Sequence, residues 1–162
     1  MKISLRKLIT VTFLTFFIFN TSAAYAKENS MTPTEEKQFI KDAFANVFEN
    51  MNATKEEYSK YFSKNYVQYV DGKKLNYTDF VEHVQALKSE MKSIKINFKY
   101  MVAEGDKVST VHIANGVKKD GGIVETQFNA LFEIKDHKIV LCNELSHLIK
   151  GSESDKDLGS RK

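Results

Sequence analysis

The chain has a single cysteine, Cys142, and a single proline, Pro33, among its 162 residues. One cysteine permits no intrachain disulfide, so the fold must be held by packing. Cys142 lies in a strand-like run and reads as a small buried apolar side chain, with an intermolecular bridge as the minor reading. Signatures of several chemistries are also missing. There is no G-x-S-x-G elbow, no phosphate-cradling Gly loop and no second Cys, so nucleophilic, nucleotide-dependent and redox reactions have no support. His83, His112, His137 and His147 are the four histidines, and neither H-x-x-x-H nor C-x-x-C spacing occurs. A zinc site needs several converging ligands, so no metal and no cofactor is expected. No internal repeat is present.

An excess of charge of one sign is also absent once the N-terminus is set aside. Lys+Arg number 24 and Asp+Glu 21, a formal net charge of +3. Three of the basic residues, Lys2, Arg6 and Lys7, precede the uncharged, mostly apolar run 8–19 and the tripeptide Ala24-Tyr25-Ala26. A basic segment, an apolar run and an A-x-A site form a secretory signal peptide over residues 1–26. The rival reading, a membrane anchor, needs ~20 apolar residues, and Asn20, Thr21 and Ser22 break this run. No Cys near the cleavage point indicates a lipoprotein anchor. Cleavage after Ala26 leaves 21 charges of each sign, so neither nucleic acid nor, after leader cleavage, a membrane is an expected partner. The expected location is periplasmic or secreted. The remaining residues are enough for one domain with a sizeable core.

Three apolar-rich runs, 108–117, 123–134 and 138–149, close the chain, parted by Lys118-Lys119-Asp120-Gly121-Gly122 and Lys135-Asp136-His137. Runs rich in Val, Ile, Phe and Thr with short Gly- or Asp-bearing breaks predict antiparallel strands. In the middle run Val124, Thr126, Phe128, Ala130, Phe132 and Ile134 alternate with polar residues, giving one apolar face and one wet face. Upstream, Ile94, Ile96, Phe98, Tyr100 and Val102 predict another half-buried strand, with Tyr100 in the core. Tyr66–Val70 is strand-like and ends at the turn Asp71-Gly72. Three helices precede or interrupt these strands. Thr32-Pro33-Thr34-Glu35 and Thr54-Lys55-Glu56-Glu57 are capping boxes, and a third helix starts after Asn76. Residues 152–162 have no apolar period and read as a disordered tail following a domain over 27–151. Helices segregated on an antiparallel sheet make an α+β fold.

This order of elements resembles the nuclear transport factor 2-like superfamily, its SnoaL-like branch in particular. Phe62-Ser63-Lys64-Asn65-Tyr66-Val67-Gln68-Tyr69 is similar to the family's "F-x-x-D-Y-x-x-H" first strand. Asp136-His137-Lys138-Ile139-Val140 with Asn143-Glu144-Leu145 is similar to "D-G-K-I-V" followed by "R-E-Y". Asn65, Tyr69, His137 and Asn143 depart from those patterns. The resemblance implies a curved sheet packed against helices around a cone-shaped pocket, and a homodimer.

The face of the last strand carrying Cys142 and Glu144 is the one the resemblance turns inward. A carboxylate in an apolar pocket has its pKa raised and suits acid–base work; the alternative is a Glu hydrogen-bonded at the pocket wall. Tyr66 and Gln68 share the inward parity under the same alignment. Phe128 belongs to the apolar face of its strand, and Asn115 is the polar member of the face Ser109, Val111, Ile113, Asn115, Val117. His83 is expected near the cavity mouth, with His112 and His147 on the outer face. Three functions fit: a pocket for a small apolar or amphipathic molecule, a cofactor-independent proton-transfer enzyme using Glu144, or an interaction domain pairing through the outer sheet face. The first, together with dimerisation, is favoured.

Overall fold

The structure, a computed structural model, describes residues 31–160. The leader assigned to residues 1–26 lies outside the described residues. Helix α1 (Pro33–Phe44) continues into a π-helical turn, Ala45–Glu49. Then follow α2 (Lys55–Tyr61), β1 (Phe62–Val70), β2 (Lys73–Asn76), α3 (Tyr77–Glu90), β3 (Met91–Glu104), β4 (Lys107–Lys118), β5 (Ile123–Lys135) and β6 (Lys138–Lys150). Among the described residues no helix is long and apolar enough to cross a membrane.

Each helix begins where the sequence supplies its cap. Thr32, Thr54 and Asn76 accept from the backbone N–H groups of Glu35, Glu57 and Asp79, whose carboxylates accept in return from the cap N–H. These reciprocal bonds satisfy donors that a helix start leaves open. At the far end of α1 the chain widens, and Asn50 N–H donates to the Ala45 carbonyl at 3.0 Å, the five-residue closure of a π turn.

The six strands form one curved sheet in the order β2-β1-β6-β5-β4-β3. All neighbours are antiparallel except β1 and β6, which run parallel. The short strand β2 escaped the sequence reading; it is the return arm of a hairpin made by Asp71 and Gly72, both at positive φ. The inner face packs on the helices. Ile40, Ala43, Phe44 and Val47 meet Val108 and Phe132, while Phe80 lies 4.5 Å from Phe62 by ring centroids. A smaller cluster, Met91, Ile94, Val124 and Leu158, forms a second patch of core.

Two expectations are corrected. Tyr100 is 73 % exposed and not in the core. Strand β3 shifts register between Phe98 and Tyr100, and one extra residue in a strand sends every later side chain to the opposite face. Ile94, Ile96 and Phe98 therefore point inward, whereas beyond the bulge Met101 and Ala103 take that side and Tyr100 and Val102 turn outward. Residues 152–160, expected as a disordered tail, instead form ordered turns that fold back on the sheet. Gly151 (φ +149°) reverses the chain, Glu153–Asp155 make a 3-10 turn, and Leu158 is buried. The composition concealed this because one apolar side chain and one buried acid, Asp155, anchor the segment.

Candidate functional site

Between the two core clusters lies a cavity of about 90 Å³. One water needs roughly 10–15 Å³, so there is room for several waters or a small molecule. Aromatic and aliphatic side chains dominate its walls, among them Phe44, Phe62, Phe128, Phe132, Ile96 and Leu87. The polar exceptions are few and, His83 of α3 apart, sit on strands.

Glu144 and Gln68 are the main ones. Gln68 lies beside Cys142 in the parallel β1–β6 register, one step from Glu144. The side chains nevertheless meet: Gln68 Nε2 donates to Glu144 Oε1 at 2.7 Å. The Cys142 thiol donates to the other oxygen, Oε2, at 3.6 Å. The Tyr66 hydroxyl is within hydrogen-bonding reach of the same thiol. Burial raises the pKa of Glu144 to about 7 against the two hydrogen bonds that lower it, and the nearby Asp71 charge raises it further. Among the described residues no Lys or Arg side chain lines the cavity to hold the carboxylate ionised. Burial likewise pushes the Tyr66 hydroxyl and the Cys142 thiol well above their ordinary values.

Among the described residues, Gln68 Oε1 is buried without a hydrogen-bond partner. Buried polar atoms are rarely left so, because an unmade bond costs roughly 1–3 kcal/mol. Gln68 lines the cavity, so this acceptor lies in its wall.

Of the sequence-predicted site residues, the structure gathers Tyr66, Gln68, Phe128, Cys142 and Glu144 around this one cavity. Asn115 is not among them. It is exposed on the opposite face of β4, which is a correction. On β4 the inward residues are Val108, Thr110, His112, Ala114 and Gly116, so His112 also moves, from the expected outer face into the cavity. The misleading feature was composition. The inward side of β4 is small and polar because it borders a hollow, and the outward side carries Val111, Ile113 and Val117. Pairing carried the missed signal. Val117 opposite Ile123 across the five-residue break puts His112 opposite Phe128 and Asn115 opposite Glu125, and residues directly opposite share a face.

His112 is held from several sides. Its ring stacks on Phe128 (5.3 Å, 11°) and meets Phe44 edge-on at 5.0 Å. Its Nδ1 is 2.9 Å from Thr110 Oγ1. Burial lowers its pKa to about 4, so the ring is neutral near pH 7. His83 of α3 is buried and also lines the cavity. Leu158 and Gly159 of the C-terminal turns complete the wall. Among the described residues no three His, Cys, Asp or Glu side chains converge as a metal site.

No family model matches the chain. The uncharacterised protein C11D3.04c of Schizosaccharomyces pombe is 31% identical over 126 residues, covering 78% of this chain and 96% of that protein. Among solved structures, AclR of Streptomyces galilaeus, proposed to be a hydroxylase, superimposes with a TM-score of 0.64 at 15% identity over 81% of this chain and 89% of that one. A Jannaschia sp. CCS1 protein, proposed to be a SnoaL-like polyketide cyclase, gives 0.61 at 12% identity over 72% and 88%. An LEH-like epoxide hydrolase of M. tuberculosis gives 0.59 at 15% identity over 71% and 84%. The chain therefore has the nuclear transport factor 2-like fold, shared with SnoaL-like proteins, and belongs to one family with the Schizosaccharomyces pombe protein. That fold serves both ligand-binding proteins and cofactor-independent enzymes.

Proposed function

We propose that this chain is an exported, dimeric domain whose cavity holds a small apolar or amphipathic molecule. The observation that carries the binding reading is the unpartnered acceptor Gln68 Oε1, buried in an aromatic-walled hollow. An apolar body fills the walls, and a donor on the same molecule removes the cost of that lone acceptor. Export rests on the leader pattern of residues 1–26. Dimerisation rests on the outer sheet face, where two cross-strand rows are rich in exposed apolar side chains. Tyr100, Val111, Asn129 and Leu145 form one row, and Val102, Ser109, Leu131, Asn143 and Tyr69 the next. Leu145 is 65 % exposed and Val102 66 %, and apolar patches of this kind mark association surfaces. Native mass spectrometry of the protein purified without detergent tests the binding reading. A small molecule released on denaturation is the expected result; a clean chain that also takes up no added apolar probe overturns it.

One observation favours a second reading. A carboxyl group whose pKa is raised to about 7 inside a cavity can take and return a proton near neutrality. In that reading Glu144 is the acid/base of an isomerisation, hydration or cyclisation, and Gln68 and Tyr66 position the substrate. The epoxide hydrolase and the proposed polyketide cyclase with the same fold make such a reaction plausible chemistry for this cavity. Glu144→Gln separates the two: binding kept with turnover lost supports the enzyme, and binding with no turnover in either protein supports the carrier.

A further inference from the structure

The cavity's main polar groups rise from β1 and β6 on one side and from β4 on the other, with Thr126 of β5 and His83 of α3 also in its walls. Ala130 on β5 is the register partner of both Glu144 on β6 and Thr110 on β4. Adjacent strands lie about 4.8 Å apart, so the acid and the Thr110–His112 pair rise from backbones roughly 10 Å apart.

The proton on His112 can be placed from its neighbour. Thr110 is buried, and its one hydrogen-bond partner among the described residues is His112 Nδ1. If Nδ1–H donated to the hydroxyl, the Thr110 proton would have no acceptor. With the hydroxyl donating to Nδ1, both groups are satisfied and the ring proton sits on Nε2. The Phe128 stack fixes the ring plane. Nε2–H makes no hydrogen bond among the described residues, and the ring lines the cavity.

We propose that the cavity takes an uncharged molecule with an apolar body, a hydroxyl that donates to Gln68 Oε1, and a carbonyl or ether oxygen that accepts from His112 Nε2–H. This rests on the binding reading above and assigns His112 as its second polar anchor. Anions are disfavoured because, among the described residues, no Lys or Arg lines the walls and a carboxyl group does. A neutral imidazole offers a directed donor without a charge to compensate.

The test uses the purified chain at pH 6 and four one-ring probes of similar shape, titrated by calorimetry or by chemical shift. They are 4-hydroxyacetophenone, 4-ethylphenol, acetophenone and ethylbenzene. Wild type should bind 4-hydroxyacetophenone roughly three- to tenfold more tightly than either singly substituted probe, the worth of one net hydrogen bond. His112→Phe keeps an aromatic ring against Phe128 and should erase the gain from the carbonyl while keeping the gain from the hydroxyl. Gln68→Met should do the reverse. A carbonyl that brings no gain in wild type, or a gain that survives in His112→Phe, overturns the assignment of His112 and leaves the binding cavity standing. Failure of all four probes to bind, ethylbenzene included, overturns the binding reading and this proposal together.

Discussion

Gln68 Nε2 donates to Glu144 Oε1 at 2.7 Å although the two residues are not register partners on β1 and β6. This hydrogen bond favours the ionised carboxylate, and burial favours the neutral acid. Gln68→Met should therefore raise the Glu144 pKa beyond about 7. The loss of stability should be greater at pH 8, where wild-type Glu144 is ionised, than at pH 5. The difference is capped near 1 kcal/mol, because the carboxyl group escapes by taking up a proton. Urea unfolding at the two pH values measures it, and equal losses at both would show that the bond does not discriminate between protonation states.

Glu144 and His112 oppose each other in the pH dependence of folding. The folded pKa of Glu144, about 7, lies above its ordinary 4.5. Between those values the folded chain holds a proton the unfolded chain has lost, and stability rises as pH falls. The folded pKa of His112, about 4, lies below its ordinary 6.5. Between those values the unfolded chain holds the extra proton, and stability falls as pH falls. The windows overlap from 4.5 to 6.5, where slopes of about 1.4 kcal/mol per pH unit cancel. Relative to wild type, His112→Phe should gain stability on acidification through that range and Glu144→Gln should lose it. Urea midpoints at three pH values suffice, and parallel curves for all three proteins would refute the coupling.

The outward rows of the sheet lead to a prediction about assembly. Leu131 and Leu145 are both exposed on the outer face, on adjacent strands. Replacing both with Lys adds charge to the proposed contact without touching the cavity. The sedimentation coefficient at micromolar concentration should drop from dimer to monomer, while far-ultraviolet circular dichroism and probe binding stay as in wild type. A wild-type chain that already sediments as a monomer would remove the basis for a dimer through this face.

Helix starts, the hairpin strands β4, β5 and β6 and the inward set of β5 were legible because each rests on local chemistry: a cap with its N3 acid, a turn residue, a period of two. Glu144, Gln68 and Tyr66 reached the cavity list through family resemblance, since both faces of β6 are of mixed polarity. The errors on β3 and β4 concern parity. A bulge at Phe98–Tyr100 has no fixed sequence mark, so Tyr100 was assigned inward when it lies outside. On β4 the apolar count favoured Val111 and Ile113 as the inner face, but a strand lining a hollow need not carry its largest side chains inward. The loop length between β4 and β5 held the answer, because it fixes His112 opposite Phe128. The C-terminal turns were missed for a different reason: their hold on the sheet comes from Asp155, Leu158 and the close approach of Gly159 to Phe128, too few apolar residues to make a period.

Those turns form one wall of the cavity, and their attachment is narrow enough to test. Asp155 is 4 % exposed and accepts from Lys118 Nζ at 3.0 Å and from Ser152 N–H at 2.7 Å. Leu158 N–H in turn donates to the Asp155 carbonyl at 3.2 Å. Leu158 then enters the cavity wall, and Gly159 lies so close to Phe128 that a Cβ there would be 3.1 Å from its ring. Lys118→Met removes one charge from a buried pair and leaves Asp155 under-compensated, which is costly at a site with so few other contacts. Because the segment adds no strand to the sheet, it should open locally without unfolding the domain. Hydrogen exchange at the Ser152 and Leu158 amides should accelerate while that of β4–β6 does not change. Dissociation of a bound probe such as 4-ethylphenol should accelerate with it, since the wall that opens is the one Leu158 supplies. Unchanged exchange at those two amides would mean that Leu158 packing alone holds the segment, and equal acceleration throughout the sheet would mean that it does not open as a separate unit.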